Sequence, residues 1–142
     1  MNQVLFSIFL SVLFFSCSNI ETVEVKEGDI VIESYTRRKS DFAKEGTYSR
    51  FSADGKLLEK SNYKNNQLHG KQEFYFPNGQ IDSTGKYIND KREGAWNWNY
   101  ENGGNKLSLM FKNGKQEGIC KIYYENGQLN GIGNFKDGKA IG

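Results

Sequence analysis

From residue 47 onward, apolar and polar side chains alternate in short runs, and glycine punctuates these runs with a period of 24 residues. Alternation with period two marks strands, because successive side chains on an extended backbone point to opposite faces. Blocks closed by glycine divide the chain without a gap into residues 47–70, 71–94, 95–118 and 119–142. Position 9 of each block is Gly55, Gly79, Gly103 or Gly127, preceded by Asp54, Asn78, Asn102 or Asn126. Position 17 is always aromatic (Tyr63, Tyr87, Phe111, Phe135), and position 20 is Asn66, Asp90, Gly114 or Gly138. An Asx-Gly step between two strand-like runs is hairpin chemistry, since such turns need positive φ, where a Cβ clashes. Each block therefore predicts two strands, at positions 1–6 and 10–17, with a second turn near position 20.

Alternation also assigns faces. Positions 2, 4 and 6 predict an inward set: Phe74 and Phe76, then Trp96, Trp98 and Tyr100, then Cys120, Ile122 and Tyr124. Leu57, Ile81 and Leu129 join it from the second strands, with the aromatic position 17. Position 15 is Ser61, Gly85, Leu109 or Gly133, and the small residues there leave room for a ring of the preceding strand over the backbone. One feature breaks the polar pattern of the opposite face: position 5 carries Phe51, Tyr75 and Tyr123, interrupted by Asn99. This row is a candidate partner-binding stripe, and cross-strand aromatic pairing is the alternative account.

A single block cannot bury enough apolar surface to offset its own chain entropy, so the blocks must stack. The expected fold is all-β: an elongated antiparallel β-meander, an open repeat sheet of about eight strands built from four 24-residue hairpin units. DIVIESY, residues 29–35, predicts an N-terminal capping strand within residues 29–46. Residues 17–28 carry no core pattern and are expected to be a tether.

The N-terminus has a different character. Residues 4–15, VLFSIFLSVLFF, are apolar and too short to span a membrane as a helix, which needs roughly 20 residues; they read as the core of a signal peptide over residues 1–16. LFFSC resembles a bacterial lipobox, which implies cleavage before Cys17 and lipidation of that residue. The expected location is the bacterial cell envelope, with the chain held to a membrane by the lipid. Lipidation would leave Cys120 as the only thiol, so a structural disulfide is not expected.

Charge and motifs narrow the functional classes. With 25% charged residues and a net charge of +2, the chain offers little to a polyanion, and an exported protein would meet no genome. His69, the only histidine, falls at a turn exit. Cys120 shares the inward position of Trp96 and reads as a buried, inert thiol. Glu45, Glu93 and Glu117 recur before block boundaries, either as a carboxylate row or as charge partners of neighbouring Lys and Arg. Arg37, Arg38 and Lys39 form a basic cluster near the anchor. No metal-ligand spacing is present, and no cofactor or small-molecule substrate is implied.

The turn-to-strand segments YKNNQLHG, YINDKREG, FKNGKQEG and FKDGKAIG, each followed by an aromatic-rich strand and an NG or DG turn, resemble the MORN repeat variant. The resemblance covers residues 46–142 and extends to YwqK-type proteins, labelled toxin-antitoxin antitoxins. It implies a non-enzymatic protein-binding or scaffold module with an unidentified protein partner. The alternative it implies is a membrane-tethered antitoxin or immunity-like protein.

Overall fold

In the computed structural model, residues 8–13 and 18–141 are described; Cys17 lies outside them. The described chain folds as one antiparallel sheet. Its strands are β1 (Ile8–Leu13), β2 (Ile20–Glu27), β3 (Ile30–Arg38), β4 (Lys44–Phe51), β5 (Leu57–Lys64), β6 (Gln67–Leu68) and β7 (Gly70–Tyr75). They continue as β8 (Ile81–Ile88), β9 (Lys91–Asn99), β10 (Asn105–Lys112), β11 (Lys115–Gln116), β12 (Gly118–Tyr123), β13 (Leu129–Lys136) and β14 (Lys139–Ala140). Neighbours in sequence are neighbours in the sheet, except that the two-residue strands β6 and β11 lie beside β5 and β10 off the main path. The result is an open meander, as the period requires. At roughly 4.8 Å between strands, its twelve-strand path is on the order of 50 Å across.

The sequence expectation stopped short at the N-terminal end. Residues 18–28, expected as a tether, contain β2, and Val23 within it is fully buried. The pattern was missed because the side chains sharing that face, Glu21, Val23 and Val25, mix charge with two valines. Glu21 is buried by an ion pair with Arg37 on β3, N–O 2.7 Å, so a charged residue occupies an inward position. The predicted capping strand exists as β3 but is interior, between β2 and β4. β1, drawn from the apolar run read as a signal segment, pairs with β2 in register Val12↔Val23.

Two turn types alternate along the sheet edges. At the first, Gly55, Gly79, Gly103 and Gly127 all have positive φ between 78° and 84°. Gly127 N–H donates to the Tyr124 carbonyl and Tyr124 N–H to the Gln128 carbonyl, and the other three units repeat the pair. This is a four-residue turn closed by a left-handed glycine, wider than a two-residue hairpin. Asn78, Asn102 and Asn126 stabilise it by accepting, at Oδ1, the N–H two residues on. At the second turn, positions 19 and 20 both have positive φ: Asn65-Asn66, Asn89-Asp90, Asn113-Gly114 and Asp137-Gly138. That is the two-residue primed turn, and Asn or Asp fills position 19 in every unit.

A register shift flanks each first turn, between Arg50 and Phe51, Phe74 and Tyr75, and Ile122 and Tyr123 on the strand before it, and at Asn105/Leu107 on the strand after it in the third unit. The bulge ends strict alternation at position 5, so position 6 leaves the ladder. Tyr124, expected to fill the core, is 52% exposed, whereas Tyr123 is half-buried.

Candidate binding surface

Cross-strand register sorts the side chains into two faces. The inner face of the third and fourth units carries Trp96, Leu109, Phe111 and Cys120, with Tyr87, Trp98, Leu107 and Phe135 packed around them. Trp96 contacts Tyr87 edge-on at 5.2 Å between centroids and Phe111 at 6.3 Å. Burial pushes the Cys120 thiol pKa up, which suppresses its thiolate. Towards the N-terminus the same face turns polar. Glu59 Oε1 accepts from Ser61 Oγ at 2.8 Å and from Gln72 Nε2 at 3.0 Å, and Glu59 Oε2 lies 3.4 Å from Arg50 Nε. Tyr48 packs beside this cluster, and desolvation, with Glu33 and Glu59 nearby, raises its pKa to about 12.

Among the described residues no second sheet covers the inner face. Basic side chains at position 22 fold over it from the first residues of β4 and β9. Lys44 Nζ lies 4.8 Å from the ring centres of Tyr35 and Tyr48 and 5.2 Å from that of Tyr63. Arg92 stacks 4.7 Å from the Trp96 ring and 5.3 Å from Phe111. Each cation shields a cluster of rings from water while its charge faces the negative ring surfaces. Sequence reasoning missed this role; the signal is a basic residue at position 22, four residues before the next inward position of an aromatic unit.

The recurrent glutamates neither gather as a carboxylate site nor act chiefly as ion pairs. Glu45, Glu93 and Glu117 accept the N–H of Asn65, Asn113 and Asp137, each in the primed turn of the following unit, at 2.8–3.0 Å. His69 takes the same slot, with Nδ1 3.1 Å from Asn89 Oδ1. Backbone bonds run alongside: Asn66, Asp90, Gly114 and Gly138 N–H donate to the carbonyls of Lys44, Leu68, Arg92 and Gln116. At the opposite sheet edge Asn78 and Asn102 Nδ2 donate to the carbonyls of Glu101 and Glu125. Both rows of turns are thus stitched unit to unit. Among the described residues no group of His, Cys, Asp and Glu forms a metal site.

The outer face carries one continuous polar row, with Ser34, Ser49, Lys60, Glu73, Thr84, Asn97, Ser108 and Lys121 paired in succession. The predicted stripe residues Phe51, Tyr75 and Tyr123 lie at its margin. They are half-buried, pairing across the bulges with Leu57, Ile81 and Leu129. Desolvation and the neighbouring Glu73 carboxylate raise the pKa of Tyr75. The exposed apolar surface lies elsewhere. Met110, Ile119 and Ile132 are 44%, 55% and 62% exposed, and Ala95, Met110, Ile119 and Tyr123 line a shallow depression of about 310 Å³ with Lys121. The corresponding positions of the first two units are polar, with Asn62 and Lys71 in place of Met110 and Ile119. The basic cluster is partly consumed internally: Arg37 pairs with Glu21, and Arg38 with Asp41 at 2.7 Å.

With this geometry in view, residues 44–65, 68–89 and 116–137 match the MORN repeat variant. The first two matches start 24 residues apart and the third starts 48 further on. The skipped interval is the tryptophan-rich third unit, which folds as the same hairpin. No curated protein matches the chain significantly. Among solved structures, it is similar to the crystal structure of TarM, at 17% identity and a TM-score of 0.44, over 75% of this chain and 20% of that one. The chain thus spans about a fifth of the length of that protein.

Proposed function

We propose that this MORN-variant repeat chain is a non-enzymatic protein-binding module, held at the bacterial envelope by lipid on Cys17. The observation that carries the binding role is the concentration of exposed apolar side chains on the outer face of the last two units, where Met110, Ile119 and Ile132 stand at 44%, 55% and 62% exposure. None of the three belongs to the core cluster around Trp96. Exposed apolar groups clustered beside a polar row have the composition of an interaction surface. Cleavage before Cys17 would remove β1 and leave β2 as the first strand, with the anchor only a few residues from the sheet.

The experiment is quantitative co-purification from gently solubilised membranes. A partner recovered with the wild-type chain is expected to fall away when Met110, Ile119 and Ile132 are changed together to Ser, with the fold verified by circular dichroism. Equal recovery by both chains would refute the assignment of binding to this surface.

A further inference from the structure

The outer face repeats one register at each junction between units, and its charges close on themselves at the first junction but not at the junction of the third and fourth units. Between the first two units Lys60 stands opposite Glu73, and Glu73 Oε1 also holds Lys71 Nζ at 2.6 Å. Between the third and fourth units the same two positions are Ser108 and Lys121, so a lysine stands where the first junction has a carboxylate. One alternate residue further along the strands, Asn62 and Lys71 give way to Met110 and Ile119, 44% and 55% exposed. Lys112 follows on β10. Among the described residues neither Lys112 nor Lys121 makes an ion pair. The carboxylates that share a hollow with Lys112, those of Glu93 and Glu117, are committed to the turns, accepting the N–H of Asn113 and Asp137 at 2.8 and 3.0 Å. Both β10 and β12 have a strand on each side, so this surface belongs to the face of the sheet and not to an edge.

The shape is as specific as the charge. Met110 and Ile119 line a hollow of about 310 Å³ together with Ala95, Ser108, Lys121 and Tyr123, which gives room to one large apolar side chain. Because β10 and β12 run antiparallel, Lys112, two residues beyond Met110, and Lys121, two residues beyond Ile119, lie on opposite sides of the hollow, each about 6.6 Å away along the strands. That is the spacing of alternate side chains in an extended chain.

We propose that the hollow takes an acidic segment of a partner protein, in which one aromatic or large aliphatic side chain is flanked, two residues away on both sides, by Asp or Glu. The apolar side chain enters between Met110 and Ile119, and the two carboxylates pair with Lys121 and Lys112. The apolar anchor supplies most of the affinity, while the charge pairs set orientation and hasten encounter. A second copy of this chain, docked face to face, is disfavoured because it would bring the same lysines together. A membrane fits less well, because Met110, Ile119 and the half-buried Tyr123 line a recess, whereas insertion among acyl chains takes apolar groups that project. The inference rests on the reading of the chain as a protein-binding module and deepens it by naming the chemistry of the partner.

The probe is a phage-displayed library of random dodecapeptides, panned against the full chain with the Met110→Ser/Ile119→Ser chain as the counter-selecting surface. Enriched sequences are expected to carry Asp or Glu two residues to either side of an aromatic or large aliphatic residue. The most enriched peptide, synthesised with fluorescein, is expected in anisotropy to bind Lys112→Glu/Lys121→Glu about tenfold more weakly or worse. Exchanging its two carboxylates for lysines should restore binding to that variant. Lys112→Gln/Lys121→Gln, which removes the charges without reversing them, should give an intermediate loss, and circular dichroism verifies the fold of each chain. No enrichment over the counter-selecting chain, enriched sequences without the acidic pair, or an affinity unmoved by charge reversal would overturn the proposal. Sedimentation with phosphatidylglycerol vesicles that is stronger for wild type than for Met110→Ser/Ile119→Ser would give the surface to a membrane and equally overturn it. In the membrane co-purification, a partner lost from the apolar variant but kept by Lys112→Glu/Lys121→Glu would leave the binding role standing and refute this chemistry, whereas loss from both supports both.

Discussion

The indole of Trp96 lies directly over the α-carbon of Gly85 on the adjacent strand, 1% exposed, with its Nε1 donating to the Lys86 carbonyl at 3.2 Å. Gly85→Ala puts a methyl group where the indole sits. Overpacking of this kind costs about 1–3 kcal/mol, and chemical denaturation should report a loss in that range, accompanied by a red shift of tryptophan emission as Trp96 is lifted. Unchanged stability and emission would mean the ring does not depend on that glycine.

Tyr48 supplies a pH signature. Its folded pKa of about 12 stands above the ordinary value of 10.0, chiefly through burial. The folded state therefore holds the phenolic proton more tightly than the unfolded state does. Tyr48 contributes its full stabilisation below pH 10, and this declines as pH rises from there toward 12. Ultraviolet titration of the phenolates should show a late-ionising tyrosine that is absent in Tyr48→Phe. The mutant should also show a shallower loss of stability across the same interval.

Glu93 holds the third unit's primed turn through the Asn113 N–H, at 2.8 Å. Glu93→Ala removes that acceptor at a cost of about 1 kcal/mol. Hydrogen exchange at the Asn113 amide should accelerate far more than at strand amides such as that of Leu109. A uniform acceleration across the unit would show that the carboxylate supports the sheet as a whole and not this turn.

Lipidation at Cys17 is tested by metabolic labelling with an alkyne fatty-acid analogue. Wild type should be labelled and partition with membranes, and Cys17→Ser should be unlabelled. Label on both forms would place the lipid elsewhere or remove it from the account.

The repeat itself was legible because turns impose hard backbone requirements: four glycines at position 9 and Asn, Asp or Gly at position 20 mark positive φ directly. Gly85 also signalled a ring over the backbone, but the ring comes from Trp96 on the following strand; sequence alternation does not say from which side a neighbour leans. Alternation failed where bulges interrupt it, which reversed the exposure of Tyr123 and Tyr124. The strand at residues 29–35 was legible as β3, but β2 escaped because its inward positions mix Glu21 with Val23 and Val25, and Glu21 is made tolerable by pairing with Arg37 that only tertiary contact reveals. The stripe of Phe51, Tyr75 and Tyr123 is better described as the half-buried seam behind each first turn. The apolar outer patch was hidden in single substitutions, Met110 and Ile119 where other units carry polar residues.

Site-specific photo-crosslinking in living cells tests the binding role most directly. A photoreactive residue at Ile132, in the exposed apolar patch on the outer face of β13, is compared with one at Lys60, on the same row three units away. The account predicts a discrete adduct of one mass from Ile132 and none of that mass from Lys60. No adduct from Ile132, or the same adducts from both positions, would contradict it.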